Sequence, residues 1–478
     1  MPSLRRNIVY QFLYELLIVF IPLFTIPYVS RVLGAENIGL FSYTYAVANY
    51  FVLFANLGIK NYGSRTIAMV RNNKEELNRN FSEILSIHII FSIIVIFVYL
   101  VLLFFFVEDN LVIFLIQSIY IFAAVFDINW FFFGIEKFKL TVGRNTLVKI
   151  LSVFLVLVFV KTQTDLWIYA LILALSVFVG QSVVWFALKQ YVSWRRPSWA
   201  NMKQHIRPLF VLFLPILALS LYKYMDKIML GSISSNVQVG FYENAEKIIN
   251  VPMSLIMAFG VVLMPRIANM VTSKDKGEVF KLIDMSMEAV MLLAIAISFG
   301  LAGISFVLAP IFFGYEFEEC GILIMGLAVT VPFMAFANVI RTQYLIPYKE
   351  DKIFVVSLFL GAAVNLIVNI ILIPYMAARG AVIETIFAEI IVCIYQSYFV
   401  RKKIFIKKYL LNTIPPILIG IVMFVFVFQI GNVMNINIVT LILQLVVGMF
   451  IYAVGVFLLM LKSRTRLMVL LRKFVVRY

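Results

Sequence analysis

Charged side chains interrupt several long apolar stretches of this chain. If these stretches cross a membrane, an ionisable group at the bilayer centre costs ~2.5–3.5 kcal/mol on insertion scales and typically faces a cavity or a partner. Two polar stripes at helical spacing lie in neighbouring stretches: Ser220, Lys223, Asp226 and Lys227 in one, and Glu243, Glu246, Lys247 and Asn250 in the next. Lysines in such places can bind an anionic ligand, and carboxylates can carry a coupling ion.

Lys149 is the better single ligand candidate, because no acid lies at helical spacing to pair with it. Asp127 ends a third polar stripe, which also contains Gln117 and Tyr120. Further acids inside apolar stretches are Glu15, Glu288, Glu384 and Glu389.

Some of these groups also admit a purely structural interpretation. Lys223 with Asp226, and Glu243 with Lys247, could form ion pairs within their own helices. His88 is alone in its stretch, which favours a packing role over ligand binding.

Signatures of soluble chemistry are absent from the sequence. It contains no GxxxxGK[ST], HExxH or GxSxG motif. Its two cysteines, Cys320 and Cys393, stand 73 positions apart, so neither a disulfide framework nor a zinc site is predicted. We therefore expect no cofactor, no metal and no catalytic residues, and any energy must come from a gradient, the membrane potential or the substrate.

The composition identifies the elements that must position these groups. The 478 residues are 63% hydrophobic and 13% charged, with a mean hydropathy of +1.01. A soluble domain is nearer 45–50% apolar and about 25% charged. Soluble enzymes, disordered chains and fibrous proteins are thereby excluded, and an all-α polytopic membrane protein is predicted.

Fourteen stretches are long enough to cross a bilayer as helices, which needs about 20 apolar residues each. They are 8–30, 38–59, 80–106, 110–133, 140–161, 165–188, 207–230, 240–264, 284–308, 320–340, 353–374, 378–400, 409–430 and 437–461. The first resembles a signal sequence at its start, but its long apolar run predicts a retained span.

The loops between these spans predict the orientation. The loops and ends on one side of the predicted membrane carry 33 lysines and arginines. The loops on the other side carry only Arg31, Lys161 and Arg379. Cytoplasmic loops collect Lys and Arg, so both termini are predicted to be cytoplasmic. The segments 60–80 and 265–283 are typical of short amphipathic helices or of ordinary positive loops, and no loop could hold a catalytic domain.

A short internal repeat predicts two lobes. Gly39 aligns with Gly240, and Arg65 with Arg266, both at an offset of 201 residues. Six spans separate the copies, so both cross in the same direction, and a pseudo-twofold axis along the membrane normal with a cavity between the lobes is expected. The predicted parts are an N-lobe at 1–206, a C-lobe at 207–400, and two further spans with a basic cytoplasmic tail at 401–478.

Three runs of sequence carry a family resemblance. Residues 21–34 (IPLFTIPYVSRVLG), 38–42 (IGLFS) and 62–65 (YGSR) resemble the opening of bacterial Wzx-type polysaccharide flippases. In the second half, 226–231 (DKIMLG) and 239–248 (VGFYENAEKI) resemble the same family. These transporters belong to the multidrug/oligosaccharidyl-lipid/polysaccharide exporter superfamily.

The resemblance implies a function in the plasma membrane of a bacterium. Such a flippase moves an undecaprenyl-diphosphate-linked oligosaccharide from the inner to the outer leaflet by alternating access, for capsule or other surface polysaccharide export. It also implies membrane lipids as partners, with a polysaccharide polymerase and export machinery alongside, and no nucleic acid. The candidate residues for the diphosphate are Arg31, Lys149, Lys223, Lys227 and Lys247, and those for proton or sodium coupling are Asp226, Glu243, Glu246 and Asp127.

The sequence leaves two other classes of protein as alternatives to a flippase. A drug or metabolite cation antiporter of the same superfamily would favour an acidic cavity, whereas the unpaired Lys149 is positive. A polytopic polymerase or ligase would need a sizeable external loop with catalytic residues, and the longest outer loop has about ten residues.

Overall fold

The computed structural model of the protein describes residues 2–272 and 276–462. Within these ranges the chain is helical, with no β-strand. Contacts divide it into two compact units, one ending at Gly231 and the other beginning at Ser232. The side chains of residues 1–23, and the predicted basic tail after Lys462, lie outside the described part.

The described residues of the first unit form eight α-helices, which are α1 (Pro2–Asn56), α2 (Ile59–Val70), α3 (Lys74–Phe106), α4 (Leu111–Val125), α5 (Asn129–Gly134), α6 (Phe138–Phe159), α7 (Leu166–Leu188) and α8 (Trp199–Ile233). Among the described residues, α1 is divided by a backbone break at Gly34 (φ 77°, ψ 172°). The short helix α2 is amphipathic, since it buries Ile59 and Ile67 and exposes Lys60 and Arg65.

The second unit contains seven helices in its described ranges, which are α9 (Asn236–Thr272), α10 (Lys276–Phe313), α11 (Cys320–Ala328), α12 (Thr330–Ile340), α13 (Asp351–Val400), α14 (Ile406–Val433) and α15 (Ile438–Lys462). A π-helical turn, Arg341–Leu345, extends α12. The long helix α13 is divided at Ala377, which has a φ of 48° and a ψ of −127°.

Eleven helical segments among the described residues are long and apolar enough to cross a membrane. The all-α, multi-pass class is therefore confirmed. Two of the eleven, Phe24–Val70 and Asp351–Val400, contain the breaks at Gly34 and Ala377, and α6 is not among them. The number of fourteen spans stays a prediction.

The predicted span 110–133 is interrupted, because α4 ends at Val125 and α5 begins at Asn129. The carboxylate of Asp127 accepts hydrogen bonds from the backbone N–H of Asn129 at 3.0 Å and from its side-chain amide at 2.7 Å. An aspartate that bonds the backbone two residues on forms an Asx turn, which competes with the helix. The interruption thus fixes Asp127 at a turn.

Aromatic packing holds this turn in place. Trp130, Phe131 and Phe132 of α5 are all buried. The ring of Phe81 in α3 lies 4.9 Å from that of Phe131 and 5.6 Å from that of Trp130. The rings of such pairs attract each other beyond their area burial, so α5 is firmly packed against α3.

The end of α8 packs closely on the second segment of α1. A Cβ atom on Gly231 would lie 2.3 Å from the ring of Tyr43, so only glycine permits this approach. The division between the units falls within α8, beyond the predicted lobe boundary at residue 206. The predicted lobes remain a prediction.

Exchanging glycine and alanine at the two backbone breaks is expected to change the stability of the protein in opposite directions. Gly34→Ala is expected to destabilise the protein by about 1–2 kcal/mol, because an L side chain is strained at positive φ. Ala377→Gly is expected to stabilise it, because glycine relieves the same strain. Thermal unfolding of the two purified variants in one detergent tests both signs, and equal shifts in the same direction would contradict the interpretation.

Candidate functional site

Two of the predicted charged residues on α8 are buried. Asp226 is 5% exposed and Lys227 is 8% exposed. Lys223, one turn earlier, is exposed, and its Nζ lies 5.4 Å from the centre of the Tyr224 ring. A cation over an aromatic face at this distance is attracted by the ring, so this end of α8 presents a cation held beside a tyrosine.

The polar stripe of α8 meets tyrosines of α1. The hydroxyl of Tyr50 donates to backbone carbonyls of α8 at 3.4 Å. Tyr50 interacts electrostatically with Asp226, and Tyr45 interacts with Lys223 and Lys227. Lys223, Asp226 and Lys227 therefore share one polar region with Tyr45 and Tyr50 of α1.

Lys149 lies near the middle of α6 and is half-buried. It belongs to a polar stripe at helical spacing whose other members are Thr141, Asn145 and Ser152. The hydroxyl of Ser152 donates to the carbonyl of Lys149 at 2.8 Å. Among the described residues, no charged side chain acts on its ammonium group, so Lys149 is a lone cation within a polar stripe.

A network of amides and a guanidinium adjoins this stripe. The Nδ2 of Asn129 donates to Oε1 of Gln181 at 2.8 Å. The guanidinium of Arg144 donates to the amide oxygens of Asn129 at 3.2 Å and Asn145 at 3.0 Å. These bonds join α5, α6 and α7 around the Asx turn.

The sequence does not reveal this network, because Arg144 lies near the start of the predicted span 140–161, where a cation is typical of a cytoplasmic loop. The structure places it inside α6, in a helix that begins at Phe138. Two sequence signals could have found the network: Gln181 is an amide within an otherwise apolar stretch, and Asn129 follows Asp127 by two residues. The network lies one helical turn from Lys149, since Asn145 precedes it by four residues.

Arg31 lies apart from Lys149. It is exposed on α1, just before the break of that helix. Nearby, the hydroxyl of Tyr28 donates to the carbonyl of Val160 at 2.7 Å, and Asn37 donates to the α6–α7 connection. Lys149 lies ten residues before the end of α6, which is about 15 Å of helix. The residues around Arg31 thus contact the end of α6, whereas Lys149 lies near the middle of that helix.

In the second unit, Lys247 and Glu243 form an ion pair, with Nζ and Oε1 3.1 Å apart on successive turns of α9. The structural interpretation of this pair is therefore supported. Glu246, on the same helix, is half-buried. The hydroxyls of Tyr242 and Thr385 lie 2.9 Å apart and join α9 to α13.

Both acids predicted in the second half of α13 are buried. Glu384 is fully buried and Glu389 is 6% exposed. The amide of Asn365, in the first segment of α13, donates to Glu384 at 2.7 Å. Asn369 in turn donates to Asn365 at 3.4 Å. Glu384 thus belongs to a hydrogen-bonded polar cluster inside the second unit.

A buried triad joins α2, α3 and α8, and no motif in the sequence predicts it. The Nε2 of His205 lies 2.9 Å from the carboxylate of Glu83, and its Nδ1 lies 2.6 Å from the hydroxyl of Tyr62. Glu83 is 1% exposed and His205 is 2% exposed. Each histidine nitrogen has a partner, so the triad is a structural connection rather than an open site.

His88 is fully buried in α3, in agreement with a packing role. However, neither of its ring nitrogens has a hydrogen-bond partner among the described residues. Asp127 acts on it electrostatically, so the Asx turn lies near this ring. Among all the residues that the structure describes, no group of three or more His, Cys, Asp or Glu residues could hold a metal ion.

Comparisons with known proteins place this geometry in a family. Residues 4–271 match the family model described as "Polysaccharide biosynthesis protein". The chain is 24% identical over 407 residues to the "Putative O-antigen transporter" of Shigella dysenteriae, covering 82% of this chain and 98% of that protein. It is also 28% identical over 224 residues to the lipid II flippase MurJ of Bacillus subtilis, covering 43% and 41% of the two chains.

The fold has a solved counterpart. The chain is similar to a structure of the lipid II flippase MurJ in an inward closed conformation, with a TM-score of 0.73 at 15% identity, covering 94% of this chain and 97% of that chain. The two chains therefore share one fold. The chain belongs to the polysaccharide biosynthesis protein family, which confirms the resemblance found in the sequence. Its relatives are transporters and flippases, not enzymes.

Proposed function

We propose that this protein is a flippase that moves undecaprenyl-diphosphate-linked oligosaccharide units from the inner to the outer leaflet of the bacterial plasma membrane. The observation that carries the proposal is the lone, half-buried ammonium of Lys149 beside a stripe of hydroxyl and amide groups within an apolar helix. The similarity to a relative named as an O-antigen transporter, over 98% of its length, supports it.

The chemistry of this region matches such a cargo. A glycan diphosphate carries negative charge and many hydroxyls, and each polar group left unsatisfied in hydrocarbon costs several kcal/mol. Lysine and arginine form strong charge-assisted hydrogen bonds with phosphate oxygens. We assign the diphosphate to Lys149, with Lys223 and Lys227 as further cations of the first unit and Arg31 at the entrance or exit. Lys247 is a weaker candidate, because Glu243 already pairs with it.

The topology that we propose has fourteen spans. The breaks at Gly34 and Ala377 would divide two of the eleven apolar segments, and α6 would add one more. The distribution of Lys and Arg supports cytoplasmic termini. The internal repeat supports two lobes, at 1–206 and 207–400, whose alternating access would expose the cargo to each leaflet in turn.

We further propose that ion coupling uses the acids Asp127, Asp226, Glu243 and Glu246. Asp226 is the foremost of them, because it is a buried carboxylate between two lysines of the same helix. Asp226→Asn is expected to leave transport insensitive to an imposed proton or sodium gradient. Transport by this variant that still follows the gradient as in the native protein would refute its coupling role.

The function is tested by reconstitution into liposomes with a short-chain fluorescent prenyl-diphosphate oligosaccharide. Leaflet exchange should depend on the protein, and a neutral prenyl alcohol should not be moved. Exchange of a small organic cation for protons, without movement of the glycolipid, would refute the flippase and favour the cation antiporter. The assay leaves the sugar open, so capsule units and other surface glycans are compared by varying the oligosaccharide.

The proposed partners follow from the cargo. Membrane lipids surround the helices, and a polysaccharide polymerase with export machinery would consume the oligosaccharide on the outer side. Cross-linking in cells that make the glycan tests this part of the proposal, and no link to a polymerase would remove it.

A further inference from the structure

A large apolar cavity lies within the second unit, outside the polar region described above. It has a volume of about 720 Å³ and lies between α10, α12, the second segment of α13, and α14. α14 is one of the two C-terminal helices that have no assigned role in transport. The cavity therefore suggests what α14 contributes.

The wall of the cavity is built for an apolar ligand. Its inner lining includes the buried residues Ala302, Phe336 and Cys393. Ser298 and Thr413 also line it, but their hydroxyls already donate to helix carbonyls at 2.7 Å and 2.8 Å. The lining thus offers much hydrocarbon contact and few unsatisfied polar groups.

The cavity opens at the surface of the protein. Among its lining residues, Ile394, Tyr398 and Leu410 are 54–61% exposed. In a membrane-spanning protein such a surface faces lipid, and filling an apolar cavity with hydrocarbon restores the contacts that empty space lacks. Lipid is also the most concentrated apolar molecule around the protein, so mass action favours it as the occupant.

One end of the cavity is cationic. The guanidinium of Arg401 lines it and lies 3.9 Å from the centre of the Tyr398 ring. No acidic residue is among the lining residues. Arg401 is exposed, and no ion pair with a carboxylate is seen for it among the described residues, so its charge is available to an anionic group. Arginine binds phosphate oxygens strongly.

We propose that this cavity binds one acyl chain of an anionic phospholipid, with the lipid phosphate on Arg401. At roughly 30 Å³ for a water-sized group, 720 Å³ holds about 24 such groups. That is room for one fatty acyl chain. The proposal is independent of the cargo, because every lining residue of the cavity belongs to the second unit and the site needs no glycan.

The native thiol of Cys393 reports on occupancy. In a Cys320→Ser background it is the one remaining thiol of the sequence. The full-length protein in detergent is stripped of lipid, and alkylation of Cys393 by N-ethylmaleimide is timed with phosphatidylglycerol or phosphatidylcholine of identical acyl chains. Phosphatidylglycerol should slow alkylation at least fivefold more than phosphatidylcholine at the same mole fraction.

Variants identify the headgroup contact. Arg401→Gln should abolish the advantage of phosphatidylglycerol, and Lys402→Gln, an exposed neighbour outside the lining, should preserve it. Native mass spectrometry should show one retained phosphatidylglycerol in the native protein and none in Arg401→Gln. Equal protection by both lipids, an equal effect of Lys402→Gln, or stronger protection by undecaprenyl phosphate would overturn the proposal.

Discussion

Replacing Lys149 by alanine is expected to lower protein-dependent leaflet exchange of a prenyl-diphosphate oligosaccharide by about 10- to 100-fold. Lys149 is a lone, half-buried cation beside an amide and hydroxyl stripe. A hydrogen bond to a charged group contributes about 1.5–3 kcal/mol, and its loss at the step where the cargo is held reduces the rate accordingly. The measurement is the rate of leaflet exchange in liposomes of equal protein content.

Two matched variants separate loss of the charge from loss of the fold. Lys149→Met keeps the chain length and should fail in transport, while its thermal stability should equal or exceed that of the native protein, because an unpaired buried ammonium is costly. Lys161→Ala removes an exposed cation beyond the end of the same helix and should transport normally. Native rates for Lys149→Met would remove Lys149 from the binding site.

Glu83→Ala is expected to cause the largest loss of stability, about 3 kcal/mol. Glu83 is 1% exposed, and its carboxylate is the partner of His205 Nε2 at 2.9 Å. Alanine would leave the histidine nitrogen buried without a partner, and it would open a cavity between α3 and α8. Denaturant titration in detergent micelles measures the change in the free energy of unfolding.

The same helix offers a control of the opposite kind. Glu75 also pairs with a basic residue, Arg195, at 3.0 Å, but its side chain is 79% exposed. Exposed pairs contribute ~0–1 kcal/mol, so Glu75→Ala should change stability little. Glu83→Gln, which keeps an oxygen acceptor, should recover most of the loss. Equal losses for Glu75→Ala and Glu83→Ala would show that burial does not set the strength of these contacts.

The helical, multi-pass class could be predicted from the sequence because apolar length is a local property. The exact shape of the helices could not. The position of the break in α13 could be predicted, since residues 375–377 separate the predicted spans 353–374 and 378–400, but nothing in the sequence signals the positive φ of Ala377. The interruption at Asp127 was readable in principle, because an Asp followed two residues later by Asn is typical of an Asx turn.

The candidate site could be predicted only in part. Single residues such as Lys149 and Asp226 stand out by their charge in apolar stretches. Their neighbours do not, because a network forms between residues that are distant in the chain. Glu83 and His205 are 122 positions apart, and Gln181 joins Arg144 across two helices. Such pairs depend on how helices pack, which no local pattern encodes.

The breaks at Gly34 and Ala377 have a consequence for how this protein meets other macromolecules. Each interrupts a helix at one residue, but their surroundings differ, because Gly34 is buried whereas Tyr375, two residues before Ala377, is 86% exposed. An antibody or a protease needs accessible backbone. The break at Ala377 is therefore the better epitope and cleavage site of the two, and the break at Gly34 is a poor one.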